Sequence, residues 1–105
     1  MSQLTLLATT DVHGAALNWD YYRDQSWTGE AEAGLAQLST VVERIRAERG
    51  AETVALVDNG DTIQGNPLCT FFARHEPGTE NLVHPLAAAF NVMGYDAVNI
   101  GNHEF

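Results

Sequence analysis

Residues 54–65 read V-A-L-V-D-N-G-D-T-I-Q-G, and this stretch decides the fold. Its apolar beginning predicts a strand over residues 53–57 that is buried on both faces. The Asn, Gly and Asp residues that follow are turn-formers, so we expect the chain to leave the strand abruptly. Asp61 then stands at the carboxyl end of the strand, and the neighbouring Gly60, which lacks a Cβ, lets a ligand approach the backbone. Asp61 is therefore the first candidate for a functional residue.

The segments on either side of this strand predict an alternation of strands and helices. Residues 4–9 and 97–100 have the composition of short strands, and apolar residues recur at three- and four-residue spacings between the strands. The helical positions are Leu35, Leu38, Val42 and Ile45 before the central strand, and Val83, Leu86, Phe90 and Met93 after it. The order β-α-β-α-β predicts an α/β fold whose first two strands are parallel and joined by a right-handed crossover.

Two other segments have weaker patterns. Residues 68–73 form an apolar run that is long enough for one or two helical turns, with Cys69 as a packed thiol. Residues 15–32 show no period, and we expect an ordered loop there with one short helical turn. Its aromatic residues either line a substrate entrance or pack against other parts of the protein, and packing is the commoner role. These aromatic residues are Trp19, Tyr21, Tyr22 and Trp27. Elsewhere in the chain, surface or capping roles are expected for His75 and His84.

The composition excludes several classes of partner. The chain has 14 acidic and 5 basic residues, with a formal charge of -9 at pH 7. It therefore lacks the Lys and Arg clusters that binding to duplex nucleic acid or to an anionic membrane surface requires. No apolar stretch approaches the roughly 20 residues of a membrane span. The first residues lack the basic and long apolar segments of a secretory signal, which leaves a cytoplasmic location or a removed signal.

Polar residues follow each of the three predicted strands directly. Because ligands bind outside the carboxyl ends of strands in open α/β sheets, we expect these loops to converge on one site. Carboxylate and amide oxygens mixed with imidazole suit divalent Mn, Zn, Fe, Co or Mg better than a metal that prefers thiolates. The candidates are Asp11 and His13 after the first strand, Asp61 after the second, and Asn102 and His103 after the third.

The residue types also suggest a division of roles. A carboxylate such as that of Asp61 can bridge two cations, and such a pair lowers the pKa of a bound water and clamps the oxygens of an in-line displacement at phosphorus. Asn102 offers a neutral oxygen ligand. His103 is expected to face the substrate, where it could protonate the leaving oxygen or stabilise charge on the phosphoryl group.

Three motifs resemble those of the calcineurin-like metallophosphoesterases, in the 5'-nucleotidase branch. They are D-V-H-G at 11–14, N-G-D-T-I-Q-G at 59–65 and G-N-H-E-F at 101–105. Within that branch the chain is most similar to the bacterial 2',3'-cyclic-nucleotide 2'-phosphodiesterase/3'-nucleotidases, through D-Y-Y-R-D at 20–24 and L-V-D-N-G-D-T-I-Q-G-N-P-L at 56–68. The resemblance implies a two-sheet sandwich flanked by helices, of which residues 1–105 would be the amino-terminal portion of one catalytic domain.

The same resemblance implies a dinuclear metal centre that uses a metal-bound hydroxide to hydrolyse nucleotide or cyclic nucleotide phosphate esters. Asp11 and His13 would hold the first metal, Asp61 would bridge, Asn102 would belong to the second metal and His103 would be the catalytic histidine. It also implies an exported, periplasmic enzyme. A 5'-nucleotidase or UDP-sugar hydrolase of the same branch is the nearest alternative.

A non-catalytic piece is the alternative from a different class. Further histidine ligands lie beyond this stretch in the family, so we expect residues 1–105 alone to bind cations weakly and to turn over little or no substrate. Strands without their second sheet would expose an apolar face and open edges, which favours self-association or a role as an interaction module.

Overall fold

The computed structural model describes residues 2–74 and 77–105 of the chain. Its strands and helices follow one another in the predicted alternation, with one addition between the first strand and the first helix. In chain order they are β1 (Thr5–Thr9), β2 (Trp19–Asp20), β3 (Gln25–Ser26), α1 (Leu35–Arg49), β4 (Val54–Asp58), α2 (Pro67–Ala73), α3 (Pro85–Met93) and β5 (Ala97–Val98). Short 3-10 turns cover Ala51–Thr53 and Asn102–Glu104.

The main sheet is parallel and has the order β1-β4-β5, so the first residues of the stretch 54–65 form its central strand, β4. Thr5 lies opposite Val54 and Thr9 opposite Asp58, and β5 pairs only at Ala97 and Val98. The third strand is therefore shorter than predicted. The central strand also begins one residue later, because Thr53 belongs to a 3-10 turn in which its hydroxyl donates to the carbonyl of Gly50 at 2.8 Å.

The core lies on one face of this sheet. Leu56 of β4 is fully buried, and it clusters with residues from all three helices: Leu35, Val42, Cys69, Leu86, Phe90 and Met93. Cys69 is 1% exposed, as its predicted packing role requires. The helix α1 is tied to the end of α3 by Arg46, whose guanidinium donates to the carbonyls of Met93 at 2.6 Å and Gly94 at 3.0 Å.

The opposite face of the sheet is open, and the prediction that β4 is buried on both faces is wrong. Burial alternates along β4, with Val54, Leu56 and Asp58 buried and the intervening Ala55 and Val57 only half-buried. On the neighbouring strand Leu6 is 63% exposed. The reason is that the helices pack on one side only, so these residues present the exposed apolar face expected of a sheet without a second layer.

Residues 15–32 contain a β-hairpin where a helical turn was predicted, so that prediction is wrong. Trp19 pairs with Ser26, and Asp20 with Gln25. The carboxylate of Asp20 accepts the N–H groups of Tyr22 and Arg23 at 3.0 Å each, which closes the turn between the strands. Asp side chains favour such turns because they satisfy backbone donors two and three residues on.

The two histidines outside the predicted site have different outcomes. His84 is the N-cap of α3, and its Nδ1 accepts the N–H of Leu86 at 3.2 Å, which confirms the capping role. Burial lowers the pKa of His84, in keeping with a neutral ring that accepts a hydrogen bond. The prediction for His75 falls outside the described residues.

Among the described residues, the helices are too short or too polar to cross a membrane.

Candidate metal centre

The pairing of β1 with β4 continues past the ends of both strands. The N–H of Asp11 donates to the carbonyl of Gly60 at 3.0 Å, and that of His13 to the carbonyl of Asp61 at 3.0 Å. Gly14 N–H donates to the carbonyl of Thr62 at 2.8 Å. The two loops therefore run side by side, and this brings together residues that are 48 to 50 positions apart in the chain.

This arrangement gathers Asp11, His13 and Asp61 into one group. Each residue offers a ligand atom, and these atoms all lie within 4.8 Å of one another. All three residues have left-handed backbone conformations, with φ of 55° for Asp11, 48° for His13 and 59° for Asp61. Such conformations cost about 1–3 kcal/mol each in non-glycine residues and concentrate at ligand sites. The bent backbone directs all three side chains to one point.

The hydrogen bonding of His13 decides which ring nitrogen faces this group. Nδ1 lies 2.8 Å from the carbonyl oxygen of Gln64. Because a carbonyl only accepts, Nδ1 carries the proton, and in the neutral ring Nε2 keeps its lone pair. Nε2 lies 3.5 Å from Oδ1 of Asp11, so two acceptors face each other at a distance that suits a shared cation. Metal-binding histidines usually donate their second ring N–H in this way.

The segment after β5 closes over Asp61. The N–H of His103 donates to Oδ1 of Asp61 at 2.9 Å. The ring of His103 meets that of His13 edge to face, with centroids 5.6 Å apart. Asn102 is exposed in the same 3-10 turn. The structure thus brings His103 against the group, and places Asn102 on the turn that contacts it.

Two glycines make this close approach possible. A Cβ on Gly60 would lie 2.8 Å from Cα of Gly101, and a Cβ on Gly101 would lie 2.6 Å from the backbone nitrogen of Asp61. Gly60 also has φ of 102°, which side chains rarely tolerate. The backbones of the second and third motifs therefore touch at these two glycines, and a side chain at either one would push the motifs apart.

Two carboxylates at this edge have roles that the sequence analysis missed. Asp58 is 3% exposed and accepts the hydroxyls of Thr9 and Thr62 at 2.6 Å each, together with the N–H of Gly60 at 3.0 Å. Glu104 accepts four backbone N–H groups, from Asp61, Thr62, Ile63 and Gly101. The spacing of Gly101 and Glu104 matches the second half of a capping box, and this signal could have identified the role of Glu104.

The donor set fits a hard or borderline divalent cation. Two carboxylates and one imidazole nitrogen converge, and the cluster contains no thiolate because Cys69 is buried in the core. The hydrogen bond from Nδ1 of His13 to the carbonyl of Gln64 fixes the ring orientation that such a ligand needs. The residues present therefore suit a metal ion held between the first and second motifs.

The chain is similar to known proteins over nearly its whole length. The profile of the calcineurin-like phosphoesterase family matches residues 4–105. This chain belongs to that family. The crystal structure of the calcineurin-like phosphoesterase YfkN from Bacillus subtilis superposes with a TM-score of 0.82 at 37% identity, covering 97% of this chain and 30% of that one. The α/β fold predicted from the sequence is therefore that of a solved member of the family.

Three proteins that are similar to this calcineurin-like phosphoesterase are named for activities on nucleotides. The trifunctional nucleotide phosphoesterase protein YfkN of Bacillus subtilis is 40% identical over 107 residues, which are 97% of this chain and 7% of that protein. The 2',3'-cyclic-nucleotide 2'-phosphodiesterase/3'-nucleotidase of Salmonella typhimurium is 37% identical over 102 residues, 97% of this chain and 15% of that protein. Bovine 5'-nucleotidase is 38% identical over 106 residues, 98% of this chain and 16% of that protein. The chain thus spans less than a fifth of the length of each of these relatives.

Proposed function

We propose that the protein containing this chain is a metal-dependent hydrolase of nucleotide phosphate esters, of the 2',3'-cyclic-nucleotide 2'-phosphodiesterase/3'-nucleotidase type. The convergence of Asp11, His13 and Asp61 at the carboxyl edge of the sheet is the observation that carries this proposal. Residues 1–105 would form the amino-terminal portion of its catalytic domain. The resemblance to this branch also supports an exported, periplasmic location.

In this proposal each motif has its own task. Asp11 and His13 hold one cation, Asp61 is shared, and Asn102 contributes to a second cation. Divalent cations at such a centre supply charge neutralisation at phosphorus and activation of water. His103 binds the phosphoryl group of the substrate or donates a proton to the leaving oxygen, and its contact with His13 keeps its ring beside the metal ligands.

Replacing Asp61 by Asn tests the proposal. Asn keeps the size of the side chain, and its carbonyl can still accept the N–H of His103, but it removes the negative charge that a bridging ligand supplies. We expect Mn²⁺-dependent hydrolysis of bis(4-nitrophenyl) phosphate by the full-length protein to fall to background. Asp24→Asn is a matched control, because Asp24 also has a left-handed conformation, with φ of 52°, but lies in the hairpin turn. Activity retained in Asp61→Asn would overturn the assignment.

A 5'-nucleotidase or UDP-sugar hydrolase is the second candidate. The bovine 5'-nucleotidase and the Salmonella enzyme match this chain almost equally, at 38% and 37% identity, so identity over this stretch does not separate them. Initial rates on 2',3'-cyclic AMP, 3'-AMP, 5'-AMP and UDP-glucose would decide. The first proposal expects the cyclic nucleotide and 3'-AMP to be hydrolysed fastest, and a preference for 5'-AMP or UDP-glucose would replace it by the second.

A further inference from the structure

The carboxylate of Glu104 joins two segments of the candidate metal centre. Its Oε2 accepts the N–H groups of Asp61 and Gly101 at 2.7 Å each. Its Oε1 accepts the N–H of Thr62 and, at 3.1 Å, that of Ile63. Three of these donors belong to the loop after β4, and the fourth belongs to the turn after β5. One side chain therefore fastens the second motif to the third.

These contacts leave Glu104 little capacity to bind a cation itself. A carboxylate has about four lone-pair sites, and four N–H groups already point at this one. Burial raises the pKa of Glu104, but the hydrogen bonds from the backbone of Asp61, Thr62, Ile63 and Gly101 outweigh it and lower the pKa below its usual value. The oxygens of Glu104 are thus occupied inside the protein, whereas Asp11 and Asp61 each accept a single hydrogen bond among the described residues.

Asp61 is held by this turn at both ends. Its N–H donates to Glu104, while its own Oδ1 accepts the N–H of His103. The left-handed conformation of Asp61 is unfavourable, and hydrogen bonds from the surroundings are needed to maintain it. If Glu104 released the three N–H groups of residues 61–63, both the direction of the Asp61 carboxylate and the position of His103 would change.

We propose that Glu104 is a positioning residue of the metal centre, which fixes Asp61 relative to Asn102 and His103. The inference rests on the proposed function, since Asp61 must be a ligand for its direction to affect cation binding. Outer-shell partners of metal ligands typically contribute about 10- to 100-fold to metal affinity. We expect an effect of this size, although Glu104 touches no cation.

The test uses the full-length protein and the variant Glu104→Gln. The amide has the same shape, but its NH₂ group would face two N–H donors in place of accepting them. We expect Mn²⁺ affinity, measured by calorimetry on the metal-stripped protein, to fall about 10- to 100-fold. We also expect amide hydrogen exchange to accelerate by about 10-fold or more in one of the two donor pairs, Asp61 with Gly101 or Thr62 with Ile63, because the NH₂ group replaces the acceptor of that pair. Glu80→Gln is the matched control, since Glu80 accepts the N–H of Gly78 at 2.9 Å away from the site.

The outcomes separate this inference from the proposed function. Wild-type affinity in a folded Glu104→Gln protein, or unchanged exchange at residues 61–63, would overturn the positioning role. If the wild-type protein bound Mn²⁺ no better than Asp61→Asn, the proposed function would fail, while the exchange measurement would still decide whether Glu104 joins the two segments. Should Glu104→Gln not fold, Glu104→Asp keeps the charge and shortens the reach, and the same two readouts apply to it.

Discussion

Two regions around the central strand β4 differ in composition: the core beneath the helices and the carboxyl edge of the sheet. The core beneath α1 and α3 is apolar, with Leu56 and Leu86 fully buried. The carboxyl edge of the same sheet contains polar side chains, and three of its residues, Asp11, His13 and Asp61, have left-handed backbone conformations. Burial of apolar surface stabilises the first region, whereas hydrogen bonds to the backbone maintain an unfavourable conformation in the second. Apolar packing and the candidate metal centre thus lie in different parts of the structure around one strand.

The carboxylates of the edge themselves fall into two groups. Asp58 and Glu104 are saturated by donors from the protein, with three and four hydrogen bonds respectively. Asp11 and Asp61 each accept one hydrogen bond among the described residues, from the hydroxyl of Thr10 at 2.5 Å and from the N–H of His103 at 2.9 Å. The first pair therefore holds the loops in place, and in the proposed function the less occupied oxygens of the second pair bind a cation.

The largest effect on stability is expected in the core, from Leu56→Ala. Removing a fully buried Leu side chain loses apolar burial and leaves a cavity, so we expect the free energy of unfolding to fall by about 2–5 kcal/mol. Hydrogen exchange of the β4 amides measures this loss directly. Val92→Ala is the control, because Val92 is 89% exposed on α3 and should change stability by less than about 0.5 kcal/mol.

Mn²⁺ affinity of the folded Leu56→Ala protein should stay within about twofold of wild type, since the substitution leaves the loops of the edge untouched. A large drop in the Mn²⁺ affinity of the folded variant would contradict the proposed separation between core and edge.

A smaller loss of stability with a larger loss of binding is expected for Gly60→Ala. Alanine at this position would have to adopt a φ of 102°, and its methyl group would collide with the backbone of Gly101. We expect the free energy of unfolding to fall by about 1–3 kcal/mol and the second and third motifs to move apart. We expect calorimetry to show Mn²⁺ affinity reduced about 10-fold or more, on the scale of other changes to the support of a metal site.

Gly78→Ala separates strain from collision. Gly78 also has a left-handed φ, of 97°, but a Cβ there would meet no atom of the described residues within 4 Å. This variant should lose about 1 kcal/mol of stability and keep wild-type affinity for Mn²⁺. Equal affinities in the two variants would contradict the view that close approach of the two loops builds the site.

The sequence was sufficient to predict the helices and loops that are determined by residues close together in the chain. The spacing of apolar residues located α1 and α3, and turn-formers located the loops after β1 and β4. Val83 is the exception, because it lies before the start of α3 at Pro85 and is 63% exposed. It also indicated that Asp11, His13 and Asp61 converge, because parallel strands place their carboxyl ends at one edge. The structure gathers these three residues within 4.8 Å, while their roles as ligands, and those of Asn102 and His103, stay predictions.

What the sequence did not reveal depends on contacts between distant residues. The hairpin at Trp19 is closed locally by Asp20, but its docking depends on Tyr22, whose hydroxyl donates to the carbonyl of Gly65 at 2.8 Å across 43 positions. The saturation of Glu104 likewise requires donors from residues 41 to 43 positions away. Nothing in a single carboxylate tells whether backbone donors or a cation will occupy it, so Asp58 could not be distinguished in advance from Asp11 and Asp61. For Glu104 the one signal was its capping-box spacing from Gly101.

The last prediction concerns the boundary of the two regions, where Cys69 lies beneath the edge. Its thiol is buried and lies 3.9 Å from the carbonyl oxygen of Thr62. Burial, and to a lesser extent the negative charge of Glu104, raises the pKa of Cys69 from 9.0 to about 11. The thiol is protonated in both folded and unfolded chains well below pH 9, so its contribution to stability is complete there. As the pH rises from 9 towards 11 the unfolded chain loses this proton first, and stability declines over that window.

The rate at which iodoacetamide alkylates Cys69 tests this boundary. The thiolate is the reacting form, so at pH 8 a shift of the pKa from 9.0 to about 11 lowers the thiolate fraction about 100-fold, and burial slows the reaction further. Mass spectrometry of the peptide containing Cys69 should therefore show alkylation at least about 100-fold slower in the native protein than in urea. In Glu104→Gln the loss of a negative charge should raise the native rate, while Glu80→Gln should leave it unchanged. A native rate within a few-fold of the unfolded rate would show that the core does not extend beneath the edge, and the comparison between the two regions would fail at their border.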